Sequence, residues 1–541
     1  MTTIEKELLP VPQAKYRPLA HIQAPERIFV VGLGLGMLVD FFFYGKPVGI
    51  GLLLFVGIGV MALWCIGRLE ALRVQKGNLW LLAPLFFFAS MAFVRDNSFL
   101  TMMNVLAVVC LLAYLVFFYG NGRVSGLGII DTFLLPLRVG GHSAALAAPV
   151  VKDSLDSEMV RNGRRNSMPI LRGLFISLPI LLLFTGLLAS ADLIFAEYVQ
   201  NVLALEFLND IMSWLWRGVL ILGAAWMIIG GLTFALHRRT DSDDQGKIEQ
   251  IVEQIPRVFS LGFTETIIVL LLVNLLFLSF GLIQFTYLFG GRENIHIEGF
   301  TYAEYARQGF AELVVVAIMA VGLVWGLNWI TRRTSKTQIK LFNVLGTVLV
   351  LFVLVLLASA WKRMTLYEST YGYTELRLTV YVFMGWLAFL LSWFVITLWK
   401  RPDRFALGII LAAIGFLLTL NLLNPDAFIA QQNLNRYQTS GEVDMAYLTT
   451  LSDDAVPYLI QALNLTVGDA EEQIKPTCDY LFERTREADC YATPHEIVLT
   501  ELNGRIENMH TDTTWQKWQS FHLSRWNAFH ALSFLASEND A

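Results

Sequence analysis

The sequence predicts an all-α protein: a polytopic transmembrane helical bundle of about 11 spans with a small helical extramembrane C-terminal domain. Hydrophobic residues make up 55% of the 541 residues and charged residues only 16%, whereas soluble domains carry about 25% charged residues. The apolar residues gather in runs of about the length needed to cross ~30 Å of hydrocarbon. Helices are the predicted element because each satisfies its backbone hydrogen bonds within one continuous segment.

The candidate spans, in chain order, are 28–44, 47–67, 79–94, 99–119, 168–190, 212–236, 261–289, 309–330, 341–360, 378–399 and 404–423. The first and third are the shortest, and with the second they leave the count open by one or two. The first 27 residues are polar and mixed in charge, and no small-residue cleavage site follows the first apolar run. We therefore expect that run to be retained as the first span.

Lysine and arginine predict the orientation. Twenty-five of them lie in the N-terminal segment and in alternate loops, and eight lie in the opposite loops or at their edges. Because cytoplasmic loops carry the excess of basic residues, we expect a cytoplasmic N-terminus. An odd number of spans then places the C-terminal domain outside the cytoplasm.

Five regions follow from this pattern. They are a cytoplasmic N-terminal segment (1–27), a first group of four spans (28–119), a cytoplasmic loop (120–169), a second group of seven spans (170–423) and an extracytoplasmic acidic helical domain (424–541). A loop as long as 120–169 is unusual without its own structure or role. We favour an interfacial helix with a basic anchor on anionic lipid, and the alternative is a docking site for a cytosolic protein.

The C-terminal domain is acidic and has helical signals. Residues 425–541 contain 18 Asp and Glu against seven Lys and Arg, a net charge of −11, whereas residues 1–424 carry 33 basic and 27 acidic residues, or +6. Pro425 suits a first helical turn, and Asp453 and Asp454 suit a helix N-terminus. An aromatic stripe recurs at three- and four-residue steps and indicates a packing face: Trp515, Trp518, His522, Trp526 and Phe529.

Four cysteines divide by region. Cys65 and Cys110 lie within apolar spans, where a thiol packs as a small hydrophobe. Cys478 and Cys490 are the only pair in the C-terminal domain, and an extracytoplasmic location would permit a disulfide between them. The alternative, two free thiols facing the cytosol, would remove one span from the count.

Glycines in the first spans resemble a nucleotide-binding fingerprint but lack its spacing and its strand–turn–helix context. Gly32 with Gly36, and Gly45 with Gly49, instead fit small-xxx-small contacts that let helices approach closely. We expect them to serve helix packing.

Polar residues within spans are candidates for function because a charge at the bilayer centre costs ~2.5–3.5 kcal/mol on insertion scales. Glu265 is the only charged residue between Arg257 and Arg292, and Asn274 and Gln284 follow it in the same span. These three could line a transport path. Because Glu265 lies near the inner end, the favoured alternative is that it reaches the interface or pairs with an arginine.

A second set of polar residues gathers at the outer ends of spans. It comprises Asp192, Glu304, Arg307, Glu312, Arg363, Glu375 and Arg377. Opposite charges at one membrane face can form a ligand pocket, but they also clamp loops to one another and to an acidic domain. We favour the clamp, because ion pairs commonly serve structure.

Familiar catalytic and cofactor signatures do not occur in the sequence. There is no Walker lysine motif, no His-Glu-x-x-His, no Gly-x-Ser-x-Gly and no paired Cys-x-x-Cys, and the eight histidines are scattered. We assign no catalytic residue and expect no cofactor, no metal site and no nucleic-acid partner. The expected partners are the lipid bilayer and a protein at the 120–169 loop or the C-terminal domain.

Several segments resemble a bacterial multi-pass membrane family, domain of unknown function 4173, which is related to family 4153. They are Tyr-Gly-Lys-Pro-Val-Gly-Ile (44–50), Ser-Ala-Asp-Leu-Ile-Phe (190–195), Gly-Phe-Thr-Glu to Phe-Thr-Tyr-Leu-Phe-Gly-Gly (262–291), Tyr-Ala-Glu-Tyr-Ala-Arg-Gln-Gly-Phe-Ala-Glu-Leu (302–313), Tyr-Gly-Tyr-Thr-Glu-Leu-Arg-Leu (371–378), Asn-Pro-Asp-Ala-Phe-Ile-Ala (424–430), and Asp-Met-Ala-Tyr-Leu with Leu-Ser-Asp-Asp-Ala-Val-Pro (444–457). The resemblance implies a bacterial cytoplasmic (inner) membrane and assigns no activity.

Three function classes follow. The first is transport or envelope maintenance, with Glu265 facing a polar cavity if the protein transports. The second is a membrane-embedded enzyme that acts on a lipid-linked substrate and uses the outer cluster, including Glu375. The third is a signalling or scaffold protein, which predicts an exposed apolar patch on the 120–169 loop or on the C-terminal domain.

Overall fold

The structure of the protein is a computed structural model that describes residues 24–72, 74–120, 122–155, 205–237, 261–289, 310–331, 333–401, 404–466 and 493–539, with Ile22 and scattered positions from 177 to 192. Within those ranges the side chains at 205–211, 283–289, 310–313 and 538–539 are outside the description. The described residues form helices joined by turns, without a β-strand. The all-α class that the sequence predicts is confirmed.

Eleven α-helices of the bundle have their bounds within the described residues. They are α1 (Pro25–Phe43), α2 (Ile50–Leu69), α3 (Leu82–Val94), α4 (Ser98–Phe117), α5 (Ile129–Leu155), α6 (Leu205–His237), α7 (Phe263–Phe289), α8 (Phe310–Ile330), α9 (Lys336–Tyr371), α10 (Glu375–Lys400) and α11 (Phe405–Leu423). A 3₁₀ helix, Lys76–Leu81, directly precedes α3. Nine helical segments of the described residues are long and apolar enough to cross a membrane, so the protein is polytopic.

The C-terminal domain, which we call the tail, contains five α-helices in its described part. They are α12 (Pro425–Ser440), α13 (Met445–Thr449), α14 (Val456–Leu465), α15 (Pro494–Thr511) and α16 (Leu523–Asn539), with 3₁₀ turns at Asp453–Ala455, Thr514–Gln516 and Trp518–Ser520. Its core includes Ile429, Leu448, Leu459 and Val498, all fully buried.

Local sequence explains where several helices begin and end. Ser335 and Thr493 each form a capping box that satisfies the first backbone donors of α9 and α15. Gly372 ends α9 with a φ of 74°, a left-handed value that glycine adopts without strain. Asn424 adopts a φ of 53° between α11 and α12, and Pro425 then starts α12.

The bundle helices alternate in direction, and the tail marks one side of the bundle. At the end of α1 the ring of Phe42 lies 6.0 Å from the ring of Trp518. In the loop between α3 and α4, the backbone N–H of Asp96 donates to Asp454 over 2.8 Å. In the turn between α9 and α10, the backbone of Tyr373 exchanges two hydrogen bonds with the Asn433 side chain of α12. We call this end of the bundle the tail side.

Several described helices have a direction relative to the tail. α4 ends at Phe117 on the side opposite the tail, where Gln75 bonds to Tyr119. α6 begins on the tail side, because its Arg217 pairs with Asp40 near the end of α1. Most of the chain between α5 and α6 lies outside the described residues, so the total of about 11 spans stays a prediction.

Part of the predicted loop 120–169 is a long helix. Residues 129–155 form α5, a helix of 27 residues that is long and apolar enough to cross a membrane. It packs closely on α6, since a Cβ at Gly230 would overlap the backbone of Ser143. Whether 120–169 is cytoplasmic stays a prediction.

Glycine packing is confirmed in one of the two predicted pairs. Gly32 and Gly36 let α1 approach α6, because a Cβ at either position would overlap Ile229 or Ala225. Gly45 and Gly49 lie instead in the turn between α1 and α2. There Gly49 lets the tail backbone approach closely, because a Cβ at this position would lie 2.6 Å from the Ser520 carbonyl carbon.

Tryptophan against glycine fixes α10 on α11. A Cβ at Gly415 would overlap the ring of Trp386 and one at Gly408 the ring of Trp393. Trp386 Nε1 also donates to the Thr419 hydroxyl over 3.0 Å.

We predict that Gly415→Ala lowers the free energy of unfolding by about 1–3 kcal/mol, because overpacking forces the ring or the helix to move. The matched control is Gly385→Ala on α10, where a Cβ meets nothing within 4 Å. Denaturation of the purified protein in detergent, followed by circular dichroism, measures both. Equal stability of the two variants would contradict the packing described.

Candidate functional site

Charged side chains from the bundle and the tail meet at one place, which we call the junction. On the bundle it uses the loop between α3 and α4. Its carboxylates and their cationic partners are Arg95, Asp96, Asp453, Asp454, Arg505 and Arg525. The neighbouring residues Asn97, Glu375, Asp426, Ser452, Ser524 and His522 complete its hydrogen bonds.

Asn97 links three helices. Its side-chain oxygen accepts the backbone N–H of Leu100 over 3.0 Å and so caps α4. Its amide nitrogen donates to Glu375 Oε1 over 2.6 Å and lies 3.1 Å from both carboxylate oxygens of Asp426. Asp426 is 1% exposed and also accepts the backbone N–H and hydroxyl of Ser452. One short loop thus joins α4, α10 and α12.

Two arginines of the tail hold the acidic residues Asp96 and Asp453. Arg525 Nη2 lies 2.7 Å from Asp96 Oδ1, and Arg525 Nε lies 3.6 Å from Asp453 Oδ2. Arg505 Nη1 lies 3.3 Å from the other oxygen of Asp453. Arg505 Nη2 donates to the backbone carbonyls of Thr449 and Leu451 over 2.7 and 2.6 Å. Arg505 therefore fixes the chain before Asp453 as well as the carboxylate.

Asp454 is more buried than Asp96 and Asp453, with 3% of its side chain exposed against 12% and 13%. It accepts the Asp96 backbone N–H, the Ser524 hydroxyl and, over 3.3 Å, the amide of Asn424. Arg95 Nη1 lies 3.8 Å away. Buried charges require such partners, because an unpaired one loses its hydration without compensation.

His522 bonds to the same loop. Its Nε2 donates to the Arg95 carbonyl over 3.0 Å, and its Nδ1 is buried without a hydrogen-bond partner among the described residues. Burial first, and Arg525 second, lower the pKa of His522 from 6.5 to about 4. His522 is therefore neutral at pH 7.

Burial raises the pKa values of the junction acids, opposite to its effect on the pKa of His522. Loss of solvent, followed by the neighbouring Asp96, raises the pKa of Asp453 to about 6 although Arg505 and Arg525 oppose the shift. Burial also raises the pKa of Asp96 and of Asp454. Asp96 and Asp453 share Arg525 as a cationic partner.

A buried amide pair lies beneath the junction within the bundle. Asn104 on α4 and Asn421 on α11 exchange two side-chain hydrogen bonds of 2.9 and 2.8 Å, and both are fully buried. Arg95 Nε donates to the Asn421 carbonyl over 2.9 Å. The junction is thus continuous with polar contacts between membrane helices.

The chemistry of the junction is that of a clamp. The carboxylates of Asp96, Asp453 and Asp454 each have an arginine within 4 Å. No three His, Cys, Asp or Glu side chains in the described parts of the chain are placed to hold a metal ion.

Two members of the predicted outer cluster have defined contacts. Glu375 is exposed and accepts the amide of Asn97, which also bonds to Asp426. Arg377 donates to the Tyr371 carbonyl over 3.1 Å and stacks 4.2 Å from the centre of the Tyr367 ring. Arg377 therefore stabilises the α9–α10 turn.

The other predicted residues are placed only in part. Arg363 lies on α9, and Asp192 follows scattered described positions. Glu304, Arg307, Cys478 and Cys490 lie outside the described residues, as do the side chains of Glu312 and Gln284. The cluster as a whole and the disulfide remain predictions.

The intramembrane residues make separate contacts. Glu265 is exposed and accepts the Gly262 backbone N–H over 2.9 Å, at the start of its own helix. Asn274 donates to the carbonyls of Leu270 and, across to α9, Leu345. Their described contacts are thus those of a helix start and a helix–helix bond.

The aromatic stripe is only in part the packing face that the sequence predicts. Trp515 and His522 are buried, but Trp518 and Trp526 are 55% and 44% exposed. The junction acids themselves were not identified as a site from the sequence, which indicated only that Asp453 and Asp454 suit a helix N-terminus.

We predict that Arg525→Ala lowers the unfolding free energy of the tail by about 2–3 kcal/mol, because it leaves Asp96 and Asp453 short of a cation. The control is Glu442→Gln, which removes an ion pair whose acid is 73% exposed and should cost about 0–1 kcal/mol. Denaturation followed by tryptophan fluorescence measures both. A cost for Arg525→Ala no larger than for the control would contradict the clamp.

The junction also predicts two opposite pH dependences. Between pH 4 and 6 folded Asp453 keeps a proton that the unfolded chain releases, so its contribution to stability falls as pH rises. Between pH 4 and 6.5 unfolded His522 binds a proton that the folded state does not, so its contribution rises.

As pH rises from 4 to 6.5, the free energy of unfolding of His522→Gln should therefore fall relative to that of the wild type. That of Asp453→Asn should rise relative to the wild type. Denaturation curves at half-unit pH steps measure the slopes, with His510→Gln, at an exposed histidine, as control. Parallel pH profiles for the wild type and His522→Gln would show that His522 does not titrate as stated.

The comparisons with known proteins give one finding. The family model described as "Domain of unknown function (DUF4153)" matches residues 82–462. No curated protein and no solved structure matches the chain. The matched residues run from α3 through the bundle into α14 and include the junction loop. Because the match covers well over half of the chain, this protein belongs to the DUF4153 family, the relative of family 4173 that the sequence resembles.

Proposed function

We propose that this protein is a scaffold that maintains a cell envelope by holding its tail in a fixed position on the membrane surface. The observation that carries the proposal is the junction, where buried ion pairs and hydrogen bonds fasten the tail to the bundle. Breaking a buried pair costs ~3–5 kcal/mol, so a tail that only needed tethering would not require this arrangement.

The core of the tail supports a fixed position. Leu378, on α10, is 5% exposed and belongs to the same buried cluster as Ile429 and Leu448 of the tail. Gly49 and Gly372 allow further close contacts, with Ser520 and Asn433 respectively. The tail is therefore held by apolar packing as well as by charge.

An exposed apolar face on the tail supports a protein partner. Leu523, Trp526 and Phe534 of α16 are 39%, 44% and 65% exposed. Their spacing of three and eight residues puts them on one helix face. Exposed apolar patches on protein surfaces commonly mark interaction sites, and a scaffold requires such a surface.

We infer that the tail side faces away from the cytoplasm of a bacterial inner membrane. Basic residues of the opposite side support this: Arg68, Lys76, Arg123, Arg333 and Lys400 lie at helix ends or in turns there. The positive-inside bias assigns that side to the cytoplasm.

A membrane-embedded enzyme that acts on a lipid-linked substrate is the second candidate. One observation favours it: the Glu375 carboxyl is exposed on the tail side, and the amide of Asn97 bonds both to it and to Asp426. A carboxyl pair of this kind could transfer a proton to or from a bound substrate.

Complementation of a strain that lacks the gene distinguishes the scaffold, enzyme and transport functions, with all variants at equal membrane expression. A scaffold predicts that Arg525→Ala and Arg505→Ala lose rescue in proportion to the fraction of tail released, measured by limited proteolysis. Glu375→Gln and Glu265→Gln should rescue fully, as should the control Glu442→Gln.

Loss of rescue by Glu375→Gln with the tail still protected from protease would support the enzyme. Loss by Glu265→Gln alone would support transport along a path that includes Asn274 and Gln284. Full rescue by a variant whose tail is released would overturn the scaffold.

A further inference from the structure

A groove runs along the tail-side half of the bundle between α9, α10 and α11. Its volume is about 460 Å³, within the ~300–1,000 Å³ of ligand pockets in proteins. Residues that line it include Trp361, Leu378, Tyr381, Gly385, Trp386 and Phe389. All belong to helices long and apolar enough to cross a membrane, so the groove faces hydrocarbon.

Most polar atoms of the lining already have partners. The Trp386 indole donates to the Thr419 hydroxyl over 3.0 Å, and that hydroxyl donates to the Gly415 carbonyl. The Tyr381 hydroxyl bonds to Thr365 over 3.2 Å. The described lining thus offers an occupant a mainly apolar surface, which favours an alkyl chain over a polar ligand.

The length of the groove fits one leaflet. From Leu378 to Phe389, α10 rises by about 16 Å at 1.5 Å per residue, roughly half of the ~30 Å hydrocarbon core. The groove begins about one helical turn from Glu375, which contacts the tail. It therefore extends from the tail-side surface to about the middle of the membrane.

Aromatic side chains at the sides of the groove are held in place by packing, and its base along α10 is open. Trp386 is held against Gly415, and the ring of Trp361 packs on that of Tyr381 at 5.0 Å. At Gly385 a Cβ would meet nothing within 4 Å, so space for an occupant exists along α10. A preformed apolar groove of this kind gains from being filled, because empty space forfeits dispersion contacts.

We propose that this groove binds one acyl chain of a membrane phospholipid from the tail-side leaflet. The occupant packs along Gly385 between Trp361 and Trp386. It also lies against Leu378, which belongs to the buried core of the tail. This site is independent of the scaffold function proposed above.

Photolabelling tests the proposal. The full chain is reconstituted into vesicles of phosphatidylcholine and phosphatidylglycerol that include a phosphatidylcholine with a diazirine in its acyl chain. After irradiation, mass spectrometry compares labelling of residues 378–389 with that of 271–276 on α7. Leu271, Leu272, Leu275 and Leu276 are 54–65% exposed and report ordinary contact with bulk lipid.

We expect at least threefold more label per residue in the groove segment than on α7. Gly385→Phe fills the groove and should reduce that ratio to about one, and the milder Gly385→Leu should lower it in the same direction. The matched control is Gly322→Phe on α8, also exposed and with nothing within 4 Å of a Cβ, which should leave the ratio unchanged.

Thermal unfolding and gel filtration confirm that each compared variant is folded. Equal labelling of the groove and α7 in the wild type would overturn the proposal, and so would an unchanged ratio in a folded Gly385→Leu or Gly385→Phe variant. Cross-links from the groove to a second copy of the chain, in place of lipid adducts, would assign the groove to an oligomer interface and overturn it too.

Discussion

Buried carboxylates matched by arginines at the junction are the interaction on which the arrangement of bundle and tail depends. Asp96 comes from the bundle and Arg525 from the tail, so neither can be satisfied unless the two parts meet. Because a buried charge without a partner is costly, this matching selects one position of the tail. The tail then acts as part of the bundle and not as a separate domain on a linker.

Close helix packing puts the junction loops where the tail can reach them. α1 lies on α6 through Gly32 and Gly36, and α10 lies on α11 through Gly415. These contacts fix the depth of each helix, and with it the height of the turns that contact the tail. Small residues serve here because lipid provides no hydrophobic force that drives helices together.

Features that depend on local composition, such as the positions of helices, could be predicted from the sequence. Contacts between residues far apart in the sequence could not. The positions of the bundle helices follow from runs of apolar residues. Asp96 and Asp454 lie 358 residues apart in the sequence yet bond to one another, and nothing local in either segment indicates that. Helix α5 was expected only as an interfacial helix, because its Pro136, Pro149 and small residues lower its hydropathy, and its close packing against α6 was not foreseen.

α10 connects the features of the tail side. Its first turn carries Glu375, which bonds to the junction loop, and its next turn carries Leu378, which enters the core of the tail. Leu378 also ends the apolar groove. Contacts of the tail, of the junction and of the surrounding lipid therefore converge within one turn of a single helix. A displacement of α10 along its axis would disturb all three, and this makes α10 the element that couples the membrane to the tail.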